Sequence, residues 1–354
     1  MKKLYQDLVD LPGAPSFEKP VRDYMRTFMK RYTESIQTDK LGSIFARIGT
    51  QDGPKVMIAG HMDEVGAMVV GFTKEGLIKM TNLGGMSGDT YVATHMNIHT
   101  DDGRVIPGVT ASKPPHLSRG DASSPAALKF TDLLLDIGAS SEQHAQELGV
   151  KLGQQIVSAN QYTESADGLK IFSKAWDNRF GAGMALDLLE DLAEESLPCN
   201  LYLGATVQEE VGLRGAATAT AMIDPDIFIA VDASPCADVF GGSDVEGRLG
   251  EGFLVRIYDP NALMHQGIKK HIVTLAEEHR IKHQYFTSKG GTDAARAQLH
   301  GDGVIVATIG MPARYIHSST SMIHKDDYAA VKAMLIALIR SLDHAAYEKI
   351  KASV

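Results

Sequence analysis

Four short apolar runs in the chain each lead to a residue able to hold a cation or move a proton. "KVMIAG" (55–60) runs into His61, with Asp63 two residues on. "LYLGATV" (201–207) gives way to the adjacent pair Glu209–Glu210. "DIFIAVD" (226–232) closes on Asp232, and "VIVATIG" (304–310) continues through "MPARYIHSS" to His317. A fifth such residue, Asp177, stands in "KAWDNRFG". Singly, each has an ordinary structural reading. An aspartate before a helix caps it, and a polar residue at a strand end is more often only hydrogen-bonded. Together they place at least four carboxylates and two imidazoles in one constellation with no lysine or arginine to balance them. Burying unpaired charge is costly, and a divalent cation removes that cost.

Imidazole and carboxylate without thiolate suit zinc or cobalt. Five ligand residues exceed the three that one catalytic zinc takes from protein. Two metals sharing a carboxylate fit the number better, and such pairs polarise carbonyls and activate water. The glutamate doublet then acquires a meaning. Successive side chains of an extended strand face opposite ways, so one glutamate would bind metal and the other act as general base toward a water. Strand geometry leaves open which does which. Asp63 and His61, two apart, would share a face, so that Asp63 holds the second imidazole nitrogen and fixes the tautomer.

The elements that must position these residues are legible as patterns. Continuous apolar runs of this length read as strands buried on both faces, as in a mostly parallel α/β sheet. Helices are predicted over 182–195, 262–280 and 327–350, the last with Val331, Leu335, Leu338 and Ile339 at helical spacing. The N-terminal "MKKLYQDLVDLPG" reads as a short amphipathic helix stopped by "LPG". From 67 to 165, short alternating segments separated by "TKEG" and "DDGR" predict a small β-rich domain. It would be inserted into an α/β host made of 1–66 and 166–354. In open α/β sheets, ligands bind beyond the carboxyl ends of the strands, where the polar residues stand.

Composition narrows the alternatives. A chain of 354 residues with a net charge of −9 fits two domains and disfavours a nucleic-acid or anionic-membrane surface. Two distant cysteines, Cys199 and Cys236, give no disulfide framework. No signal peptide or membrane-spanning run is legible, so a cytoplasmic protein is expected. "GAGMAL" (181–186) lacks the third glycine of a dinucleotide fingerprint, and "HRIKH" (279–283) lacks the glutamate of H-E-x-x-H and reads as a solvated helix face. There is no G-x-S-x-G elbow.

The motifs "AGHMDEVG", "KAWDNRFG", "VQEEVGLRGA", "AVDASP", "KGGTDA" and "ARYIHSS", in this order, resemble those of the tetrahedral metallo-aminopeptidases, which include the glutamyl and deblocking aminopeptidases. The likeness covers nearly the whole chain, and "KPPHLSRG" (113–120) in the insertion is similar to glutamyl aminopeptidases in particular. The resemblance implies an α/β metallopeptidase catalytic domain with an inserted, barrel-like dimerisation domain. It implies two divalent ions per subunit, zinc or cobalt: His61, Asp177 and Asp232 on one, Asp177, Glu210 and His317 on the other, Asp177 bridging. Glu209 becomes the general base and Asp63 the partner of His61. Peptides are the implied substrates, and dimers that build a tetrahedral homododecamer the implied assembly. Arg256 and Lys289 are candidates to meet an acidic N-terminal side chain. A broad or leucyl aminopeptidase, or an N-acyl amino acid deacylase with the same centre, is the alternative. The chain departs from the family pattern at "SSTSMIHKDD" (318–327) and "GGMSGDTYVATHM" (84–96), neither expected to touch a ligand residue.

Overall fold

The computed structural model describes residues 1–111, 127–241 and 246–353. The four apolar runs are strands, and they lie side by side. An eight-stranded mixed sheet runs in the order Ile36–Thr38, Ile44–Gly49, Asn200–Thr206, Lys55–His61, Ile227–Pro235, Ile305–Ala313, Phe253–Tyr258, His283–Thr287. The four central strands are mutually parallel, so their carboxyl ends open on one edge. Thr206 pairs in register with His61, and Asp232 with Gly310.

Burial on both faces explains the unbroken apolar runs. Val56, Ile58, Ile227 and Ile229 join the larger core, packed by the helices Lys3–Asp10, Trp176–Leu192 and Lys325–Ser341. Met57, Ala59, Phe228 and Ala230 join a second core on the opposite face, which includes residues of the helices Arg214–Ile223 and Ala294–Gln298. Alternate residues thus feed alternate layers, as the period of two demands.

The β-rich segment is a closed six-stranded barrel, in the order Gly66–Phe72, Ile78–Leu83, Leu134–Asp136, Val105–Thr110, His95–His99, Gln155–Ser158, with its own core. "KPPHLSRG" lies outside the described residues. Lys170–Ser173 is instead the middle strand of a separate three-stranded sheet, paired with Thr163–Glu164 on one side and Ser321–His324 on the other.

Three helical expectations change. The helix predicted from 182 begins at Trp176, and the one predicted over 262–280 spans Gln266–Glu278. The long C-terminal helix is two, Lys325–Ser341 and His344–Lys351, because the Asp343 side chain accepts the Ala346 N–H at 2.8 Å and starts a new helix. "HRIKH" is not a helix face. It spans a helix end and a turn, and His283 opens a strand.

Candidate metal centre

The carboxyl edge of the sheet and the start of the helix Trp176–Leu192 bring six of the expected residues around one cavity of about 530 Å³, lined by His61, Asp177, Glu209, Glu210, Asp232 and His317. Asp232 lies inside a strand that runs on to Pro235 rather than at its end. Asp177 reaches it because two glycines let the backbone approach. A Cβ on Gly60 would lie 2.3 Å from the Gly181 carbonyl carbon, and one on Gly181 would lie 2.2 Å from the Val231 oxygen. The capping task expected of Asp177 falls to its neighbour: the Asn178 side chain accepts the Gly181 N–H at 2.8 Å and donates to Val231 at 2.8 Å. Asp177, in non-helical backbone, keeps its carboxylate free.

That carboxylate divides its oxygens. Oδ1 lies 3.1 Å from His61 Nε2, and Oδ2 lies 3.3 Å from His317 Nε2. Around His61 Nε2 stand Asp232 at 3.8 Å and Glu209 at 3.9 Å. Glu210 lies 3.6 Å from His317 Nε2. Both imidazoles face inward by the same nitrogen for the same reason. A carbonyl can only accept, so Nδ1 of His61 donates to the Asp63 carbonyl at 3.1 Å and Nδ1 of His317 to the Gly85 carbonyl at 2.8 Å. In a neutral ring this leaves each Nε2 as a lone pair aimed at the cluster.

Two details differ from the sequence reading. The Asp63 carboxylate is 3.5 Å from His61 Nδ1, and its shorter bonds go elsewhere: Oδ1 accepts the N–H of Glu209 and Oδ2 that of Glu210, each at 3.0 Å. The chain is also no longer extended at the doublet. The strand ends at Thr206, Gln208 has φ of 56°, and a turn follows. Both carboxylates therefore reach the same cluster, one toward each histidine, rather than facing opposite ways. Further, the segment 84–96 does touch a ligand residue, through the Gly85 carbonyl on His317.

The electrostatics are those of acids lacking counter-charges. Among the described residues, no lysine or arginine forms an ion pair with Asp177, Glu209, Glu210 or Asp232; their ionic partners are the two histidines. Burial, with neighbouring carboxylates, raises Glu209 far above the usual range, Glu210 to about 8 and Asp232 to about 7. The histidines move up as well. Burial alone would lower His317, but Asp177 and Glu210 hold it at about 10, and Glu209 and Asp177 raise His61 against its burial. Asp177, between two imidazoles, is lowered despite burial. Protons thus stand in for missing positive charge. Glu210 Oε1 and Asp232 Oδ1 are buried with no hydrogen-bond partner, which is costly for carboxylate oxygens. Donor atoms of His61, Glu209 and Asp232 lie within 4.8 Å of one another, as do those of His61, Asp177 and Glu210. The residues fit divalent cations bound by oxygen and imidazole.

Arg256, 4 % exposed, forms part of the cavity wall, donates to the Gly290 carbonyl, and lies 3.6 Å from Asp259. Lys289 is exposed and belongs to an adjoining cavity of about 430 Å³ that shares Pro235, Ser288 and Gly290 with the first. Sequence reasoning missed Asn178 and Gly85, and also Asp293 in "KGGTDA". Asp293 is buried behind the site against Thr206 and adds to the field on Glu209. The glycine pairs and the unusual density of polar residues beside them were the available signals.

Comparison with known proteins gives a consistent result. The sequence profile of a family described as M42 glutamyl aminopeptidase matches residues 42–334. The chain is 40% identical to the glutamyl aminopeptidase of Lactococcus lactis subsp. cremoris, over 97% of each chain. A TET aminopeptidase from a marine-sediment archaeon of the Thaumarchaeota superposes with a TM-score of 0.93 at 32% identity, over 98% of this chain and 99% of that one. The TET1 peptidase of Pyrococcus horikoshii, which can assemble into a tetrahedron or a large octahedral shell, gives 0.86 at 27% identity, over 96% and 99%.

Proposed function

The chain belongs to the M42 glutamyl aminopeptidase family, and from that premise we propose that it is a dinuclear metal-dependent aminopeptidase that releases the N-terminal residue of peptides, with a preference for acidic residues. The observation that carries the dinuclear reading is the division of Asp177, one oxygen toward each inward-facing imidazole. His61, Asp177 and Asp232 would hold one ion, and Asp177, Glu210 and His317 the other. When bound, the ions supply Lewis acidity for the scissile carbonyl and for the attacking water.

The protein's own groups do the rest. Glu209 takes a proton from the attacking water and returns it to the leaving amine, the work of a carboxylate in the cavity wall beside the ligand residues. Distance does not separate Glu209 from Asp232, since both lie just under 4 Å from His61 Nε2. The resemblance of the motifs supports Glu209 as the base and Asp232 as a ligand. Asp63 fixes Glu209 and Glu210 through their amides, so it positions both the base and a ligand.

Arg256 supports the acidic preference, being a buried guanidinium in the wall of the same cavity, with its Nε unpartnered. Lys289, on the adjoining cavity, would have a secondary part. The barrel exposes Val70, Val105 and Leu152, apolar surface suited to dimerisation, and dimers would build a tetrahedral dodecamer, measurable as particle mass by light scattering.

Metal-free protein reconstituted with zinc or cobalt and assayed on glutamyl, leucyl and lysyl anilides tests the function. Activity should return with metal, be highest on the glutamyl substrate, and vanish when the α-amine is acetylated. A leucyl preference would remove the role of Arg256, and turnover of the acetylated substrate would point to a deacylase.

A further inference from the structure

The turn that carries Glu209 and Glu210 is held by carboxylates at three successive amides. Asp63 accepts the N–H of Glu209 and of Glu210. The N–H of Gln208 is accepted at 3.0 Å by Oε1 of Glu18, which also takes the Ser16 N–H at 3.0 Å. Glu18 lies outside the family profile, which matches 42–334. It occupies the N-cap position of the helix Lys19–Met29, yet its side chain makes no capping bond to that helix. The ordinary reason for a polar residue there is therefore absent. Instead the side chain is 4 % exposed and reaches across to another element 190 positions away.

The amide it holds is the one most in need of holding. Gln208 is a non-glycine residue with φ of 56°, a conformation that costs free energy unless the surroundings fix it. The peptide plane it sets leads directly into Glu209. The same N-terminal stretch grips the other loop of the site: the Gly13 carbonyl accepts the Glu64 N–H at 3.0 Å, and Arg179 ties Leu8, Leu11, Met62 and Glu64 together.

We infer that Glu18 is a positioning residue for Glu209, acting through the Gln208 amide, and that the segment 13–18 braces the 62–64 and 208–210 loops against each other. Its kinetic consequence rests on the reading of Glu209 as the general base; its structural consequence does not. Removal of the carboxyl leaves the Gln208 N–H without its acceptor, and a displacement of Glu209 by a fraction of an ångström lowers turnover rather than substrate binding. Glutamine retains an acceptor oxygen at the same reach, so it should restore the turn.

The test compares Glu18→Ala and Glu18→Gln with the parent metal-loaded enzyme. Expected for Glu18→Ala is a kcat about 10- to 100-fold lower, with KM and bound metal unchanged and faster amide hydrogen exchange at Gln208, Glu209 and Glu210. Glu18→Gln should recover most of the turnover and the protection. Unchanged exchange at these amides in Glu18→Ala would overturn the brace. Activity lost only in proportion to unfolded protein, without recovery by glutamine, would reduce Glu18 to a general stability role and overturn the positioning. Should the parent enzyme prove inactive on every aminoacyl substrate, the aminopeptidase reading fails, and the exchange measurement still decides the brace.

Discussion

Two clusters of charge stand on neighbouring residues of the same segments in this protein, and their contents are opposite. In one, Glu64 accepts from Lys174 at 2.6 and 2.8 Å and from Arg179 at 3.1 Å, and Arg179, fully buried, donates further to the carbonyls of Leu8, Leu11 and Met62. Burial pulls Lys174 down to about 8, yet every part of the cluster has a partner. In the other, a few residues away along the same segments, Asp177, Glu209, Glu210 and Asp232 face two imidazoles and, among the described residues, form no ion pair with a lysine or arginine, and Glu210 Oε1 and Asp232 Oδ1 have no hydrogen-bond partner. The first cluster carries its own positive charge and is complete. The second is complete only with charge from outside. The sequence places both kinds within one motif, since Asp177 and Arg179 are two residues apart and His61 and Glu64 three.

Substitutions should separate the two. The largest effect is expected for Glu209→Gln: turnover should fall by about 10²- to 10⁴-fold, with metal content by elemental analysis and the unfolding midpoint retained. Near-parental turnover would place the base elsewhere. Arg179→Met attacks the complete cluster and should cost about 3–5 kcal/mol in denaturant unfolding, the scale for stranding a buried charge, whether or not metal is present. A loss seen only in the metal-loaded protein would mean that Arg179 serves the site and not the fold.

Chelation probes the incomplete cluster. Metal-loaded protein should be more stable than metal-free protein by about 3 kcal/mol for a cation held at a hundred times its Kd, read as a concentration-dependent melting temperature. Identical stabilities would argue against a cation in the cleft. The smallest effect distinguishes the clusters most sharply. Asp232→Asn should bind less metal, yet at neutral pH its metal-free form should gain about 1–2 kcal/mol, because one crowded acid no longer has to be kept neutral. Its counterpart, Glu64→Gln, should lose stability. The same sign in both would erase the contrast.

Much of this was legible along the chain because strands and ligands are local patterns. An apolar run of five residues, 56–60 before His61 or 227–231 before Asp232, announces a buried strand and a polar residue toward its mouth without any knowledge of neighbours. The turn at Gln208 was not legible, since nothing in "TVQEE" forbids continued extension; the left-handed residue is held there by Glu18, from the far end of the chain. Asp177 taken alone read better as a cap than as a ligand, and only the bond from Gly181 to Asn178 shows that the cap is taken. The break at Leu342 escaped notice because Asp343 is one polar residue in a helical pattern until its side chain is seen to accept from Ala346.

The order of residues alone determined which side chains end the central strands, and hence that acids and imidazoles without basic partners would crowd one sheet edge, because strand burial depends on runs of side chains and not on distant contacts. Tertiary structure decided which nitrogen each histidine presents, which oxygen of Asp177 faces which ring, and what holds the Glu209 turn. Those choices rest on single backbone carbonyls and amides, chemically alike in every residue, and only the folded chain selects which of them come within hydrogen-bond reach.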